Sequence, residues 1–377
     1  MINLFCYGTL RHLPLLQIVL GRAPDDLDAR PAQLPGYAVS AVAEGPFPTI
    51  EARDGASAEG IVVAGLSARD IERLDFYEGA FDYDLAAVTL ADGSQAQVYL
   101  PQPGRWTAQG PWVLADWADD WGEISCHAAH EVMGYLGHKS RDAVDAMFPM
   151  IRARAASKVN AAHSRHGAGT KQGKVEVIES TRSYANFFAL DDMRLRHERF
   201  DGAMSAEVLR AVFIAADAAL VLPYDPVRDR VLLVEQFRMG PLARGDRACW
   251  QLEPIAGRMD AGETPQETAR REAREEAGIT LGALERVAEV YASPGNSTEF
   301  YHIFVGLADL PDSAAGMGGL DSEDEDIRSH VIGFDALMDL VDGLHAANAP
   351  LVLAAYWLAR HRERLRLAGA GATPVSV

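Results

Sequence analysis

A chain of 377 residues, nearly half of them hydrophobic, is more than one core usually organises, so two domains are expected. The formal net charge of −19 argues against a nucleic-acid or anionic-membrane partner, and it means that any phosphorylated ligand needs cations placed locally. The cysteines Cys6, Cys126 and Cys249 form no CxxC pair, no run approaches the roughly 18 apolar residues of a membrane span, and the start lacks the pattern of a secretion signal, so a cytoplasmic protein is expected.

Ile2 to Tyr7 reads as a buried strand, and Gly8-Thr9-Leu10 turns out of it ahead of a helical stretch around Leu13 to Leu20. A glycine between strand and helix leaves backbone N–H groups free to hold an anion. The segments Leu34-Pro35-Gly36-Tyr37, Pro46-Phe47-Pro48-Thr49-Ile50, Gly60-Ile61-Val62-Val63 and Leu74-Asp75-Phe76-Tyr77-Glu78-Gly79 follow, then Tyr83. In that order they resemble the gamma-glutamylcyclotransferase-like (AIG2-like) family over about residues 1–115. The resemblance implies a small mixed β-barrel in which Tyr7, Gly8, Thr9 and Leu10 hold the amino-acid end of a substrate. Glu78 is then the general acid/base as the substrate's α-amine attacks its own γ-amide carbon and releases 5-oxoproline. A lone carboxylate suffices for this if burial raises its pKa. A structural or regulatory module is the alternative reading of the same segment.

Trp106, Trp112, Trp117 and Trp121, interleaved with Asp116, Asp119 and Asp120, are expected to pack a terminal helix onto this first domain. Val132, Leu136, Val144, Met147, Phe148 and Ile151 recur at helical spacing and predict helices between 124 and 165. The Ser, His, Gly and Lys of Ala161 to Gly173 read as a linker. The expected organisation is a first domain over 1–122, a helical connector and linker over 123–173, and a second domain over 174–377.

From Lys174 the pattern changes to strands: Val175 to Ile178, Ser183 to Leu190, Met193 to Phe200, Val208 to Phe213, Ala218 to Leu222 and Val231 to Gln236, with a turn cluster at Pro223 to Asp229. Trp250 to Gly257 then delivers the chain to GRMDAGETPQETARREAREEAGI, residues 257–279. Thr264 followed three residues later by Glu267, with Pro265 between, opens a helix as a capping box, and Gly278 closes it. Ala269, Ala273 and Ala277 give a slim apolar face, while Glu272, Glu275 and Glu276 share another. Like charges at that spacing cost about 0.2–0.5 kcal/mol per pair, which a bound dication reverses; an oxygen-rich set of this kind suits Mg²⁺ or Mn²⁺.

Gly257, Glu263, Arg271-Glu272, Glu275-Glu276 and Gly278 resemble the Nudix box at every fixed position. Outside it, Gln236-Phe237-Arg238, Glu253, Pro294 and the acidic run Asp321 to Ile327 resemble the ADP-ribose pyrophosphatases of that family. The resemblance implies an α/β/α sandwich that hydrolyses the pyrophosphate of ADP-ribose, with another nucleotide sugar or a dinucleotide as alternative substrate and a non-cleaving sensor as the alternative outside enzymes. It implies that Glu272, Glu276 and the Ala256 carbonyl hold metal, with Glu275 as a further carboxylate, and that Arg271 and Glu263 orient them. It implies further that the base is Glu323, with Glu325 as the near alternative, that Arg210 and Arg238 bind phosphate or substrate, and that Glu253 and Ser293 complete recognition. Phe187 and Phe188 match an adenine-stacking site that a homodimer partner supplies through the strands before the box.

Overall fold

The structure is a computed structural model that describes residues 1–79, 83–164, 169, 171–319 and 325–370. It divides into two compact units, Met1–Ser164 and Arg165–Val377.

The first unit is built on the strand Ile2–Cys6, whose side chains alternate between two buried clusters. Leu4 and Cys6 meet Leu15, Leu16 and Val19 of the helix Leu13–Leu20, while Phe5 and the following Tyr7 meet Leu34, Ile50, Val62 and Val98. A strand buried on both faces reads as an unbroken apolar run, which is why this segment lacks polar alternation. The strand pairs in parallel with Gln95–Pro101 and antiparallel with the long strand Gly45–Leu66. Ala29–Val42 adds to the far side of that long strand, and Tyr83–Thr89 and Ala108–Pro111 complete a mixed six-stranded sheet.

Helix Ala68–Glu78 begins at a Ser67/Asp70 capping box and carries the chain to Glu78 and Gly79. The later helices Glu123–Gly134 and Arg141–His163 fall within the same compact unit and are locked together by a buried ion pair. The Arg154 guanidinium, 1% exposed, meets the Glu131 carboxylate at 2.5 Å, and the Tyr135 hydroxyl donates to the same carboxylate at 3.0 Å. Removing one partner of such a pair typically costs about 3–5 kcal/mol, because the other charge is left buried. Trp117 is buried and its indole N–H donates to the Pro46 carbonyl at 2.6 Å, tying the tryptophan-rich segment to the sheet. Among the described residues no helix is long and apolar enough to cross a membrane.

In the second unit the alternation is again two-sided. Ala219, Val221, Leu232 and Val234 face the helix Pro265–Ala277, whereas Leu220, Leu222, Val231 and Leu233 face the helices Phe334–Asp342 and Ala349–Ala370. A sheet with helices on both faces is the expected α/β/α sandwich. Its strand order runs Leu284–Tyr291, Phe300–Leu307, Ala218–Asp225, Arg230–Phe237, Ile327–Gly333, Gly316–Gly318. The two central strands, Ala218–Asp225 and Arg230–Phe237, pair with each other at Tyr224–Val231 and Asp225–Arg230. Further on, Trp250–Glu253 pairs with one of them and Ile255–Arg258 with the other. These two short strands fill a fork between the central strands, and the fork leads directly into the capped helix.

A separate three-stranded antiparallel sheet, Val175–Ala185, Ala189–His197 and Val208–Ile214, precedes the sandwich. The stretch Ser183 to Leu190, expected to be one extended segment, is instead a hairpin: Ala185 pairs with Ala189, and the Asn186 N–H donates to the Phe188 carbonyl at 2.9 Å. The turn uses asparagine in place of glycine, and the paired phenylalanines kept the apolar pattern running through it.

Candidate functional site

The capped helix forms as its sequence dictates. Thr264 and Glu267 make the reciprocal cap, Pro265 occupies the first turn, and Gly278 adopts φ 64° at the end. Ala269 and Ala273 are fully buried against the sheet, which directs Glu272 and Glu276 toward the fork. Gly257 is needed for close approach, because a Cβ there would land on the Glu272 carboxylate.

Arg271 is the hub of the acidic cluster. Its Nε donates to Glu263 Oε1 at 2.8 Å, its Nη1 to Glu272 Oε1 at 2.6 Å and to Glu275 Oε2 at 2.9 Å, and its Nη2 to Glu263 Oε2 at 3.0 Å and the Arg258 carbonyl at 3.1 Å. Glu263 accepts further bonds from the Thr268 hydroxyl and the Asp260 N–H, so its position is fixed from three sides. Glu276, 1% exposed, accepts from the Ala256 N–H at 3.4 Å. Burial pushes the Glu276 carboxyl up to about 9, with the charges of Glu272 and Glu325 adding to the rise. Burial likewise pushes Glu272 up to about 7, against the pull of Arg271.

Glu325 thus acts electrostatically on Glu272 and Glu276, although it is about fifty residues away in sequence. Glu323 lies outside the described residues. Among the described residues no three His, Cys, Asp or Glu side chains are already gathered at metal-holding spacing. Glu275 in particular is engaged by Arg271. The donor chemistry nevertheless suits a hard dication: the carboxylates of half-buried Glu272 and buried Glu276 lie one helical turn apart, both are held toward protonation by burial and neighbouring carboxylates, and Arg271 offsets this only in part at Glu272.

On the other side of the fork, Arg238 donates from Nε and Nη2 to Glu253 Oε2, at 2.9 and 2.6 Å. Arg238 also feels the charges of Glu276 and Glu325, so the pair faces the acidic cluster. Two groups that sequence reasoning passed over join it. The Tyr301 hydroxyl donates to Glu299 at 3.0 Å, and burial pushes Glu299 up while Arg238 pulls it down. An acidic residue opening an otherwise apolar strand was the available signal.

The remaining expected residues lie farther out. Phe187, 53% exposed at the hairpin tip, packs edge-on against Phe188 and lies under the Arg258 guanidinium of its own chain, 5.3 Å from the ring centre. Arg210 stands exposed on the three-stranded sheet, its guanidinium bonded to the Leu209 carbonyl. Ser293 donates to Asn296 at 2.7 Å in an exposed loop. That loop is joined to the three-stranded sheet by Phe213, whose N–H donates to the Asn296 carbonyl and whose carbonyl accepts from the Thr298 N–H.

The first unit holds a second constellation. Tyr7, Gly8, Thr9 and Leu10 line a cavity of about 130 Å³ together with Glu78. Glu78 is half-buried, and desolvation pushes its carboxyl up to about 7. Tyr7, Tyr77, Tyr83 and Tyr99 surround it, each pushed up by burial with the Glu78 charge contributing. Tyr7 and Tyr83 are hydrogen-bonded to each other, and the Tyr99 hydroxyl is bonded to Asp75 at 2.6 Å.

Comparisons with known proteins agree with these two constellations. Residues 215–354 match the family model described as NUDIX domain, and residues 4–118 match gamma-glutamyl cyclotransferase, AIG2-like. Among curated proteins, the ADP-ribose pyrophosphatase of Escherichia coli (strain K12) is 41% identical over 192 residues, 51% of this chain and 91% of that protein. The ADP-ribose pyrophosphatase of Haemophilus influenzae is 35% identical over 197 residues, 52% of this chain and 90% of the relative. A GDP-mannose pyrophosphatase of Escherichia coli (strain SMS-3-5 / SECEC) is 31% identical over 168 residues, 45% of this chain and 86% of the relative. The chain therefore belongs to the Nudix hydrolase family through its second unit and carries an AIG2-like gamma-glutamyl cyclotransferase domain in its first.

Proposed function

We propose that the second unit is an ADP-ribose diphosphatase that uses Mg²⁺ or Mn²⁺ and yields AMP and ribose 5-phosphate. The observation that carries the reading is the pair of carboxylates, half-buried Glu272 and buried Glu276, set across the fork from the Arg238–Glu253 pair. The relatives named ADP-ribose pyrophosphatase, at 35–41% identity, support the substrate. Glu272, Glu276 and the Ala256 carbonyl hold the cation, with Glu275 beside them. When bound, the cation offsets phosphate charge and favours ionisation of an attacking water. Arg271 and Glu263 keep the carboxylates in place. Arg238, Arg210, Glu253 and Ser293 bind the substrate, and Phe187 stacks on the adenine. The water proton passes to Glu323 or Glu325 as the water oxygen bonds to phosphorus, and the bridging P–O bond breaks.

The expected working form is a cytoplasmic homodimer joined through the three-stranded sheet, which exposes Val175, Val177, Ile178 and Leu209. The full chain incubated with ADP-ribose and Mg²⁺ or Mn²⁺ is expected to release AMP and ribose 5-phosphate in equal amounts. Intact ADP-ribose, with turnover of GDP-mannose or a dinucleotide in the same panel, would replace the substrate in this reading.

The Glu78 cavity favours a second activity, that of a gamma-glutamyl cyclotransferase. A carboxyl titrating near neutrality can accept the α-ammonium proton and return it to the departing amine as the γ-amide C–N bond breaks and the 5-oxoproline ring closes. Release of 5-oxoproline from γ-glutamyl dipeptides tests it.

A further inference from the structure

Two buried polar groups of the second unit share the face of the sheet that lies under the capped helix. Side chains alternate along a strand. Leu232 and Val234 on one strand and Ile327 on its neighbour pack with Ala269 and Ala273 of the helix Pro265–Ala277. Gln236 follows Val234 by two residues and Ser329 follows Ile327 by two, so both fall on that helix-covered face. Val234 pairs with Ser329, which makes Gln236 and Ser329 diagonal neighbours on antiparallel strands, about 7–8 Å apart by the geometry of such a pair.

Gln236 is 8% exposed and Ser329 4%. The Gln236 Nε2 and the Ser329 Oγ are both shut off from solvent, and among the described residues neither has a hydrogen-bond partner. Native folds leave few such donors unsatisfied, because each has lost its hydration without gaining a partner. Next to Ile327 in the register is Gly318, where a Cβ would land on the Glu276 carbonyl oxygen, so the last turn of the capped helix sits directly on this part of the sheet. The Glu276 carboxylate, 1% exposed, has the opposite lack. Among the described residues it accepts only the long bond from the Ala256 N–H, at 3.4 Å, whereas an ionised carboxylate has about four places to accept. Two donors without acceptors and an acceptor short of donors are enclosed between the same helix and the same face of the sheet.

We infer that Gln236 and Ser329 are positioning residues of the cation site: together they hold a water between the sheet and the capped helix, and that water donates to the Glu276 carboxylate. The hydrogens match. The carboxamide N–H and the hydroxyl fill the two acceptor positions of the water, and its two O–H groups remain for the carboxylate. A buried water with three or four such bonds is an ordinary part of a fold. The outer hydrogen bonds of a metal-binding carboxylate fix its orientation, so Glu276 is held ready for the cation by groups that touch neither cation nor substrate.

The inference rests on the reading of Glu276 as a cation ligand. Its test is the binding of Mn²⁺ alone to the full chain, followed by the loss of the free-ion electron paramagnetic resonance signal, with the site defined as the one that E276Q removes. Q236M keeps the length of the side chain without its donor, S329A removes the hydroxyl, and S329T retains it. The Mn²⁺ dissociation constant is expected to rise on the order of tenfold to a hundredfold in Q236M, the usual effect of losing an outer partner, and to rise less in S329A. S329T should stay within about twofold of the wild type. Because one water serves both residues, Q236M/S329A should bind no more than about twofold more weakly than Q236M. The KM for ADP-ribose at saturating Mn²⁺ should be unchanged in each. The second unit's unfolding transition, scanned without metal, reports that each variant is folded; should Q236M not fold, S329A and S329T carry the same test. Unchanged Mn²⁺ affinity in Q236M or S329A, or losses that multiply in the double variant, overturns the inference and leaves Glu276 as a cation ligand. Equal Mn²⁺ binding by the wild type and E276Q overturns the cation-site reading together with it.

Discussion

The two units raise the pKa of a carboxyl by different means. In the first, Glu78 stands alone among tyrosines, and desolvation pushes its carboxyl up to about 7. In the second, Glu276 reaches about 9 because burial is compounded by Glu272 and Glu325, while Arg271 tempers the rise at Glu272. A solitary desolvated acid can trade a proton near neutral pH without help. A cluster of acids that one arginine only partly neutralises ionises more readily when a further cation joins it, and so it suits metal-assisted chemistry on phosphate. On the proposed reading, the same residue type, glutamate at or near a helix end, would serve proton transfer in one unit and cation binding in the other.

The sharpest way to break this comparison is to neutralise Glu276 and read both activities in one chain. Glu276→Gln keeps the Ala256 bond but removes a donor charge. It is expected to lower ADP-ribose hydrolysis by about 10³-fold, in the range for loss of a preorganised charge-stabilising group. Release of 5-oxoproline should stay within a factor of two. Near-normal hydrolysis by E276Q would remove Glu276 from the cation site.

A smaller effect is expected at the hub. Arg271→Met leaves Glu263, Glu272 and Glu275 without their shared donor. Loss of such an outer partner typically costs about 10–100-fold in metal affinity or activity. The Mg²⁺ concentration giving half-maximal hydrolysis should rise in R271M, with R271K between it and the wild type, because an ammonium can reach some of the carboxylates but cannot span all three. An unchanged Mg²⁺ dependence in R271M would mean that the carboxylates hold their places without Arg271.

Much of the second unit was legible because its signals are local. Thr264, Glu267, Pro265 and Gly278 specify a helix start and stop between residues 264 and 278, and the alanine spacing fixes which face is buried. The Arg271–Glu263 pair was readable for the same reason. What escaped reading was non-local. Glu299 and Tyr301 reach Arg238 across strands, whereas Glu325, which acts on Glu272 and Glu276 once the fold has closed, was legible only through the family resemblance. In the first unit the apolar spacing of residues 124–165 shows helices but not what they cover. Spacing reports the faces of an element and leaves its partners to tertiary packing.

The smallest effect is thermodynamic and concerns Glu78 alone. Its carboxyl titrates near 4.5 when unperturbed and is pushed up to about 7 in the folded protein. Between those values the unfolded chain has lost the proton while the folded chain keeps it, so raising the pH favours unfolding. The contribution is therefore fully present below about 4.5, falls as pH rises through 7, and is gone above that. Glu78→Gln cannot titrate. Calorimetric scans should show the first unit's transition falling in the wild type relative to E78Q between pH 5 and 8, with no further divergence above pH 8. 5-Oxoproline release by the wild type should rise over the same interval, since the ionised form accepts the proton. A difference between wild type and E78Q that stays constant across this range would place the Glu78 carboxyl in ordinary solvent and remove the contrast between the two acids.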